Sequence, residues 1–451
     1  PRCRARRSGA IVMRAGCCAW LLPLLLVVAP AHAALDIQHW STAQGARVYF
    51  VANHDLPMLD LAVFFDAGSA RDGAAKSGLA SLTHTMLARG AGDWNETEIA
   101  ERFADVGASL SDYFDADRAG FTLRMLSAPP EREPAIATLK AMLAAPHFTQ
   151  DILARERART IAGLREAALK PDYLADRAIT RLIFGEHPYA LAEAGEPESV
   201  AALQRDDLVE FHRRHYRTAN LVLALMGDIS RSEAERIADL LAAALPAGEA
   251  APALVPVPMA VAGSEERIAH HASQSHIALG LPGMSRDDPD YFPLLVGNYI
   301  LGGGGFDSRL MREIRQERGL AYSAYSYFQP MRVAGPFRIG LQTRRESTTE
   351  ALELARETLA RFVAAGPTLE ELEQARNNLI GSFPLRLDSN RKILDHLARL
   401  GFYGLPLDWL QTYPARVAAV SAAEVHRAFR ARVPPAAVST VVVGQLDPAA
   451  P

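Results

Sequence analysis

Cysteine is scarce in this 451-residue chain, which contains only Cys3, Cys17 and Cys18. All three lie within the first 33 residues. The rest of the sequence therefore offers no pair for a disulfide and no thiolate for a metal ion. Any metal site beyond residue 33 would depend on histidine and carboxylate side chains.

Long apolar runs are also missing. The run at residues 19–29 is too short for a membrane span, which needs about 20 residues, and no later run reaches that length. The basic residue before this run and the small residues at Ala31 and Ala33 fit a signal peptide, with Met13 as the true start. We therefore expect a signal peptide over residues 1–33, a periplasmic mature protein, and no membrane contact after the leader is removed.

An excess of positive charge is absent as well. The chain has 48 lysine and arginine residues against 52 aspartate and glutamate residues, a formal net charge of −4. The predicted leader holds five arginines and no acid, so its removal leaves 43 basic against 52 acidic residues, a net charge of −9. This balance argues against a nucleic-acid partner.

The sequence uses one order of elements twice. Each half has an apolar strand, a helix, two further strands and a pair of amphipathic helices. In the first half these elements are predicted at 60–66, 77–89, 108–126, 133–145 and 150–168. In the second half they are predicted at 276–281, 289–301, 320–327, 336–343, 348–365 and 369–383.

A segment rich in alanine, proline and glycine separates the two halves. We predict an N-terminal domain at 36–245, a linker at 246–265 and a C-terminal domain at 266–447. Apolar runs at 221–228 and 438–445 are predicted as the last strand of each domain. Strands that alternate with amphipathic helices predict an α+β fold of two homologous domains, each an antiparallel-rich sheet with helices packed on one face.

A glycine-rich turn, a charged helix and a tyrosine-containing strand follow one another at 302–323. This stretch, with its Arg-Gly-Leu-Ala-Tyr-Ser string, resembles the C-terminal domain of the pitrilysin/insulinase family of zinc peptidases, the inverzincins. The resemblance implies that Arg318 and Tyr322 hold the substrate backbone. The guanidinium and the phenol can both donate hydrogen bonds to a substrate carbonyl or its tetrahedral oxyanion. In the structural alternative, Arg318 pairs with Glu313 and Tyr322 packs in the core.

The zinc motif of that family, His-x-x-Glu-His, is degenerate in this chain. After the family's Gly-hydrophobic-Ala lead-in, the degenerate positions are Ser81, His84 and Thr85. Where the family carries a third ligand, a Glu on a later helix, this chain has Ala162 or Gly163. A zinc peptidase needs imidazole and carboxylate ligands and a further Glu as proton acceptor, so the resemblance implies that this chain binds no zinc.

His84 could in principle act as a general base without a metal. Such a base contributes about 10² to 10⁴ in rate, whereas zinc lowers the pKa of water from about 15.7 to about 7, so most of the barrier would remain. We favour a structural role for His84 on a partly buried helix. Structural roles are also predicted for a group of histidines without carboxylates at helical spacing, namely His212, His215, His270, His271 and His276.

The consecutive glycines do not predict a phosphate site, because no Lys-Ser or Lys-Thr pair follows them. Glycines let one backbone approach another closely, and an adjacent sheet edge can accept an extended peptide as an added strand. We therefore predict that Gly302, Gly303 and Gly304 belong to a peptide-binding site with Arg318 and Tyr322.

Some members of this family divide their labour between a subunit with the zinc motif and a partner that carries the Arg and Tyr. The present sequence resembles the second kind. It implies a non-catalytic, substrate-binding subunit that forms a heterodimer with a zinc-bearing homologue, binds peptide substrates and leaves zinc to its partner. Two alternatives stay open: a stand-alone peptidase with an unconventional metal site, and a scaffold subunit like the core proteins of respiratory complexes.

Overall fold

Two β-sheets organise the computed structural model, which describes residues 35–444. The predicted signal peptide and the last three residues of the predicted C-terminal domain lie outside the described residues. The strands are β1 Gln38–Ser41, β2 Arg47–Ala52, β3 Met58–Phe65, β4 Gly90–Ala91, β5 Trp94–Asn95, β6 Ser109–Phe114, β7 Ala119–Leu126, β8 Leu221–Gly227, β9 Glu265–Ala269, β10 Gln274–Pro282, β11 Ala321–Phe328, β12 Pro336–Arg344 and β13 Ser439–Gly444.

Helices fill the segments between these strands. They are α1 Leu79–Met86, α2 Glu96–Asp105, α3 Pro129–Ala144, α4 Gln150–Ala167, α5 Pro171–Phe184, α6 Pro197–Ala202, α7 Arg205–His215, α8 Arg231–Ala243, α9 Tyr291–Asn298, α10 Thr348–Ala365, α11 Leu369–Gly381, α12 Asn390–Tyr403, α13 Trp409–Ala419 and α14 Ala422–Arg432. Two π-helical segments, Tyr299–Gly303 and Met311–Glu317, lie between α9 and β11. Within residues 35–444, no helix is both long and apolar enough to cross a membrane.

The first sheet has the order β1-β2-β8-β3-β7-β6 and is antiparallel except between β2 and β8. Its central strand β3 is buried along most of its length. Side chains alternate between the two faces of a strand, so Leu59, Leu61 and Val63 of β3 share one face. They join the main core of this half together with residues of α1, α3 and α7.

The second sheet has the order β11-β12-β10-β13-β9, with only the β13–β9 pair parallel. Strand β11 pairs with β12 on one side and forms one edge of this sheet. Leu279 of β10 lines a hollow with Leu359 of α10, whereas the neighbouring Gly280 approaches Ile183 of α5. The two faces of β10 therefore meet helices from different halves of the chain.

One helix from each half packs on the sheet of the other half. Helix α5 packs on β10 and β13 of the second sheet, and α12 packs on β2, β3 and β8 of the first. Two glycines permit the close approach, because a Cβ at Gly280 would lie 2.6 Å from Ile183 Cδ1 and one at Gly401 would lie 2.4 Å from Tyr49 Cε2. The two sheets are thereby interlocked.

The predicted α+β class, with two antiparallel-rich sheets covered by helices, is confirmed. All strands of the first sheet precede residue 246, and those of the second begin at Glu265. The domain boundaries themselves, with the linker at 246–265, stay a prediction.

Candidate substrate-binding site

Helix α1 carries the three degenerate positions of the zinc motif. It begins after Gly78, whose positive φ of 93° suits a residue without a Cβ. Ser81 and Thr85 are half-buried, and the Thr85 hydroxyl donates to the Ser81 carbonyl at 3.0 Å. His84 lies between them on the buried side, with 4% of its surface exposed.

The His84 ring is a core side chain. Its centroid lies 4.7 Å from that of Phe121 and 5.9 Å from that of Phe114. The Tyr216 hydroxyl lies 3.5 Å from Nδ1, and Nε2 has no hydrogen-bond partner among residues 35–444. Burial lowers the pKa of His84 to about 4, although Asp112 acts in the opposite direction. The imidazole is therefore neutral at pH 7 and closed off from solvent, which supports the structural role predicted for it.

Helix α4, which corresponds to the family helix with the third ligand, supplies no metal ligand near the degenerate motif. Ala162 and Gly163 are exposed and have no side-chain donor atom. A buried carboxylate two turns earlier, Glu156, is paired with Arg155 at 2.8 Å and Arg89 at 3.5 Å. In the described part of the chain, no group of three or more His, Cys, Asp or Glu side chains could hold a metal ion. The residues present at the degenerate motif do not fit zinc.

Arg318 and Tyr322 stand on the surface at the start of the edge strand β11. Arg318 ends the π-helical segment, and Gly319, with a φ of +62°, turns the chain into β11. The Arg318 side chain is 60% exposed, with one hydrogen bond to Glu350 at 3.4 Å, and Tyr322 is 81% exposed. Neither contact of the structural alternative is formed, because Glu313 instead accepts from Arg361 and Thr358.

An arginine that the sequence analysis missed organises this surface. The Arg315 guanidinium lies 4.8 Å from the ring centroid of Phe306 and 4.7 Å from that of Tyr322. Such cation–π contacts are worth about 0.5–1 kcal/mol at exposed sites. We call Phe306, Arg315, Arg318 and Tyr322 the aromatic patch. The signal available in the sequence was a phenylalanine directly after four glycines, in a segment with several arginines.

The three predicted glycines pack the turn against α9 and β11. A Cβ would lie 2.4 Å from the Ser326 nitrogen at Gly302, 2.7 Å from Asn298 Nδ2 at Gly303, and 2.7 Å from the Tyr299 carbonyl at Gly304. These distances are shorter than a real Cβ contact. At Gly302 and Gly304 the close atoms include backbone, so these two positions require glycine, whereas at Gly303 the end of the Asn298 side chain can shift. Asn298 closes the same junction by donating to the Ser326 carbonyl at 3.1 Å. The glycines thus place the aromatic patch beside β11; their contact with a peptide stays a prediction.

Known proteins resemble this chain along most of its length. Residues 47–195 match the family model described as Insulinase (Peptidase family M16), and residues 202–379 match the one described as Peptidase M16 inactive domain. A crystal structure of a peptidase M16 inactive domain from Pseudomonas fluorescens is 38% identical, with a TM-score of 0.88, over 92% of this chain and 100% of that one.

Two further likenesses are more distant. The non-peptidase homolog YmxG of Helicobacter pylori is 28% identical over 414 residues, 91% of this chain and 95% of that protein. A chain of complex III2 from Candida albicans is 16% identical, with a TM-score of 0.75, over 90% of this chain and 95% of that one. The last likeness concerns the fold alone.

Proposed function

Because the chain belongs to peptidase family M16, the insulinase family, and lacks the metal ligands of that family, we propose that it is the substrate-binding subunit of a zinc peptidase. It is an inactive homologue, as its likeness to the M16 inactive domain and to a non-peptidase homolog indicates. In the proposal it pairs with a zinc-bearing homologue in the periplasm, and the pair degrades peptides. The zinc ion belongs to the partner.

The exposure of Arg318 and Tyr322 beside an edge strand is the observation that carries the proposal. Buried side chains would be committed to the fold, whereas Arg318 forms one long, exposed ion pair with Glu350 at 3.4 Å and most of the Tyr322 surface is exposed. Both side chains are donors, so they can bind a peptide carbonyl as its oxygen gains negative charge. A hydrogen bond to a charged group is worth about 1.5–3 kcal/mol.

Reconstitution of the pair from purified subunits tests the proposal. We expect Arg318→Ala to lower kcat/KM for peptide cleavage about 10- to 100-fold, because each 1.36 kcal/mol of lost stabilisation is a tenfold change. Arg312→Ala is a matched control, since Arg312 is a half-exposed arginine of the same helical segment. Pair formation, measured by size-exclusion chromatography, is expected to be unchanged in both variants.

The same experiment separates the two alternatives. Unchanged activity of the Arg318→Ala pair would indicate a scaffold subunit and contradict the proposal. Bound zinc and peptide cleavage by the purified chain without a partner would indicate a stand-alone peptidase. Fractionation of cells with an antibody to the chain tests the periplasmic location, which rests on the signal-peptide prediction.

A further inference from the structure

A polar cavity lies where the two halves of the chain meet. Its volume is about 470 Å³, within the range of small-molecule sites. The β6–β7 turn contributes Asp115 and Arg118 to its wall, and the second half contributes Arg286 and Arg399. Three guanidinium groups therefore line one cavity.

The guanidinium groups of this cavity are not all paired. Asp115 is fully engaged, because it accepts from Arg118, from the Tyr113 hydroxyl at 2.9 Å and from two backbone N–H groups. Arg286 donates to the Pro330 carbonyl at 2.9 Å, but its buried Nε has no partner among residues 35–444. Arg399 forms neither a hydrogen bond nor a salt bridge within the described chain.

The surroundings of Arg399 penalise its positive charge. Burial, followed by the neighbouring Arg286 and Arg118, lowers the pKa of this guanidinium. His396, one turn before it on α12, shows the same environment, because burial and then Arg399 and Arg386 lower its pKa to about 4. Asp395, one turn before Arg399 on α12, interacts with it electrostatically, although burial raises the pKa of this carboxyl. The Arg399 guanidinium still forms no direct hydrogen bond in the described chain, so its N–H groups are open to an anion.

The charge balance indicates which anion fits. The carboxylate of Asp117 lies behind the cavity wall, where it accepts from Tyr403 at 2.9 Å and from the Arg332 nitrogen at 2.9 Å. Asp115, Asp117 and Asp395 thus offset much of the charge of the three guanidinium groups, and little net positive charge is left. A monoanion matches this remainder better than a phosphate dianion does.

Aromatic side chains form much of the remaining wall. Tyr291, Tyr327, Phe328 and Tyr403 line the cavity, and the Arg286 guanidinium lies 5.2 Å from the ring centroid of Tyr403. Aromatic walls offer apolar contact area with polar tips, which suits a side chain attached to a carboxylate. Tyr327 and Phe328 end strand β11, at whose other end Tyr322 lies, so the cavity and the aromatic patch share one edge strand.

We propose that this cavity binds the C-terminal carboxylate of a short peptide, with Arg399 and Arg286 holding the carboxylate and the aromatic wall receiving the last side chain. The inference rests on the proposed peptide-binding function and adds the end of the peptide that is recognised. It gives the chain a second contact with its ligand, separate from the contact at Arg318 and Tyr322.

Titration calorimetry on the purified chain tests the inference with an N-acetylated tripeptide that ends in phenylalanine, as free acid and as amide. We expect the acid to bind at least about tenfold more tightly than the amide, because charged hydrogen bonds to guanidinium are lost in the amide. Arg399→Gln is expected to remove this difference. Arg391→Gln, which changes an exposed arginine of the same helix, is the matched control and is expected to retain it.

Thermal unfolding distinguishes a loss of binding from a loss of folding in the variants. Without ligand, Arg399→Gln is expected to have a Tm equal to or above that of the wild type, since burial and the neighbouring Arg286 and Arg118 disfavour the charge that is lost. Addition of the free acid is expected to raise the Tm of the wild type but not that of the variant.

Three results would overturn the inference: equal affinity for acid and amide, an acid preference that survives Arg399→Gln, or a lower Tm of that variant without ligand. Displacement of the acid by inorganic phosphate at equal concentration would assign the cavity to phosphate instead. Any of these results can coexist with an effect of Arg318→Ala on the reconstituted pair, so failure of the inference and failure of the proposed function are distinguishable.

Discussion

His84 occupies a ligand-bearing motif but has the environment of a core side chain. Its ring packs between Phe114 and Phe121, and the fold retains an imidazole whose Nε2 has no partner in the described chain. A buried neutral imidazole is tolerated, whereas a buried imidazolium without a counter-ion is costly. We therefore expect His84 to make the stability of the fold depend on pH, and not to bind a metal.

His84 is expected to destabilise the fold in acid. Its folded pKa of about 4 lies below the unfolded value of 6.5, so the unfolded chain binds more protons and stability is lost as the pH falls from 6.5 towards 4. Linkage gives a loss of about 2 kcal/mol between pH 7 and pH 5. Denaturant unfolding at both pH values checks this. We expect His84→Leu to show a smaller loss and exposed His271→Leu the wild-type loss; equal losses in all three proteins would contradict the prediction.

At the scale of elements, much of the chain could be predicted from local patterns. The runs at 60–66 and 276–281 correspond to β3 and β10, and the predicted helix at 348–365 has the bounds of α10. The sequence also singled out the glycines of the turn as candidate site residues, but it did not single out Arg315. Its contacts with Phe306 and Tyr322 depend on the π-helical winding of Met311–Glu317, which hydrophobic periodicity does not indicate.

The close packing of the glycine turn predicts that a larger residue there destabilises the fold. We expect Gly302→Ala to lower the free energy of unfolding by about 1–3 kcal/mol, because a new methyl group would meet the Ser326 backbone. Gly163→Ala is the matched control: it lies on α4 with no atom within 4 Å of a new Cβ, and alanine favours helix by about 0.5–1 kcal/mol. Chemical denaturation measures both. A neutral Gly302→Ala variant would show that the turn is loosely packed.

On the scale of the whole molecule, the family and the twofold order could be predicted, whereas the exchange of helices could not. The apolar face of α5 or α12 predicts burial but does not indicate which sheet covers it. Both partners are remote in sequence, as the hydrogen bonds from Arg47 to the Gly401 carbonyl and from Asn53 to Asn390 show. The cavity around Arg399 was missed for the same reason, because its wall combines the β6–β7 turn with α12.

Interlocked halves are expected to fold only together. Without α12, a fragment of residues 36–245 would expose the face of the first sheet that holds Tyr49 and Val222, and an apolar face of that kind promotes aggregation. The fragment after the linker would likewise lose α5. We therefore expect each fragment alone to bind a hydrophobic dye and to lack a cooperative unfolding transition, and the two co-expressed fragments to form a soluble 1:1 complex.

One substitution makes this last expectation specific. Gly401→Leu would drive a side chain into Tyr49 and Val222, and it should prevent the co-expressed fragments from associating. Gly381→Ala, at a position with no atom within 4 Å of a new Cβ, should leave the complex intact. Size-exclusion chromatography of the co-expressed pairs distinguishes the outcomes. If each fragment were soluble and unfolded cooperatively by itself, the two halves would be independent domains, and the exchange of α5 and α12 would contribute little to their stability.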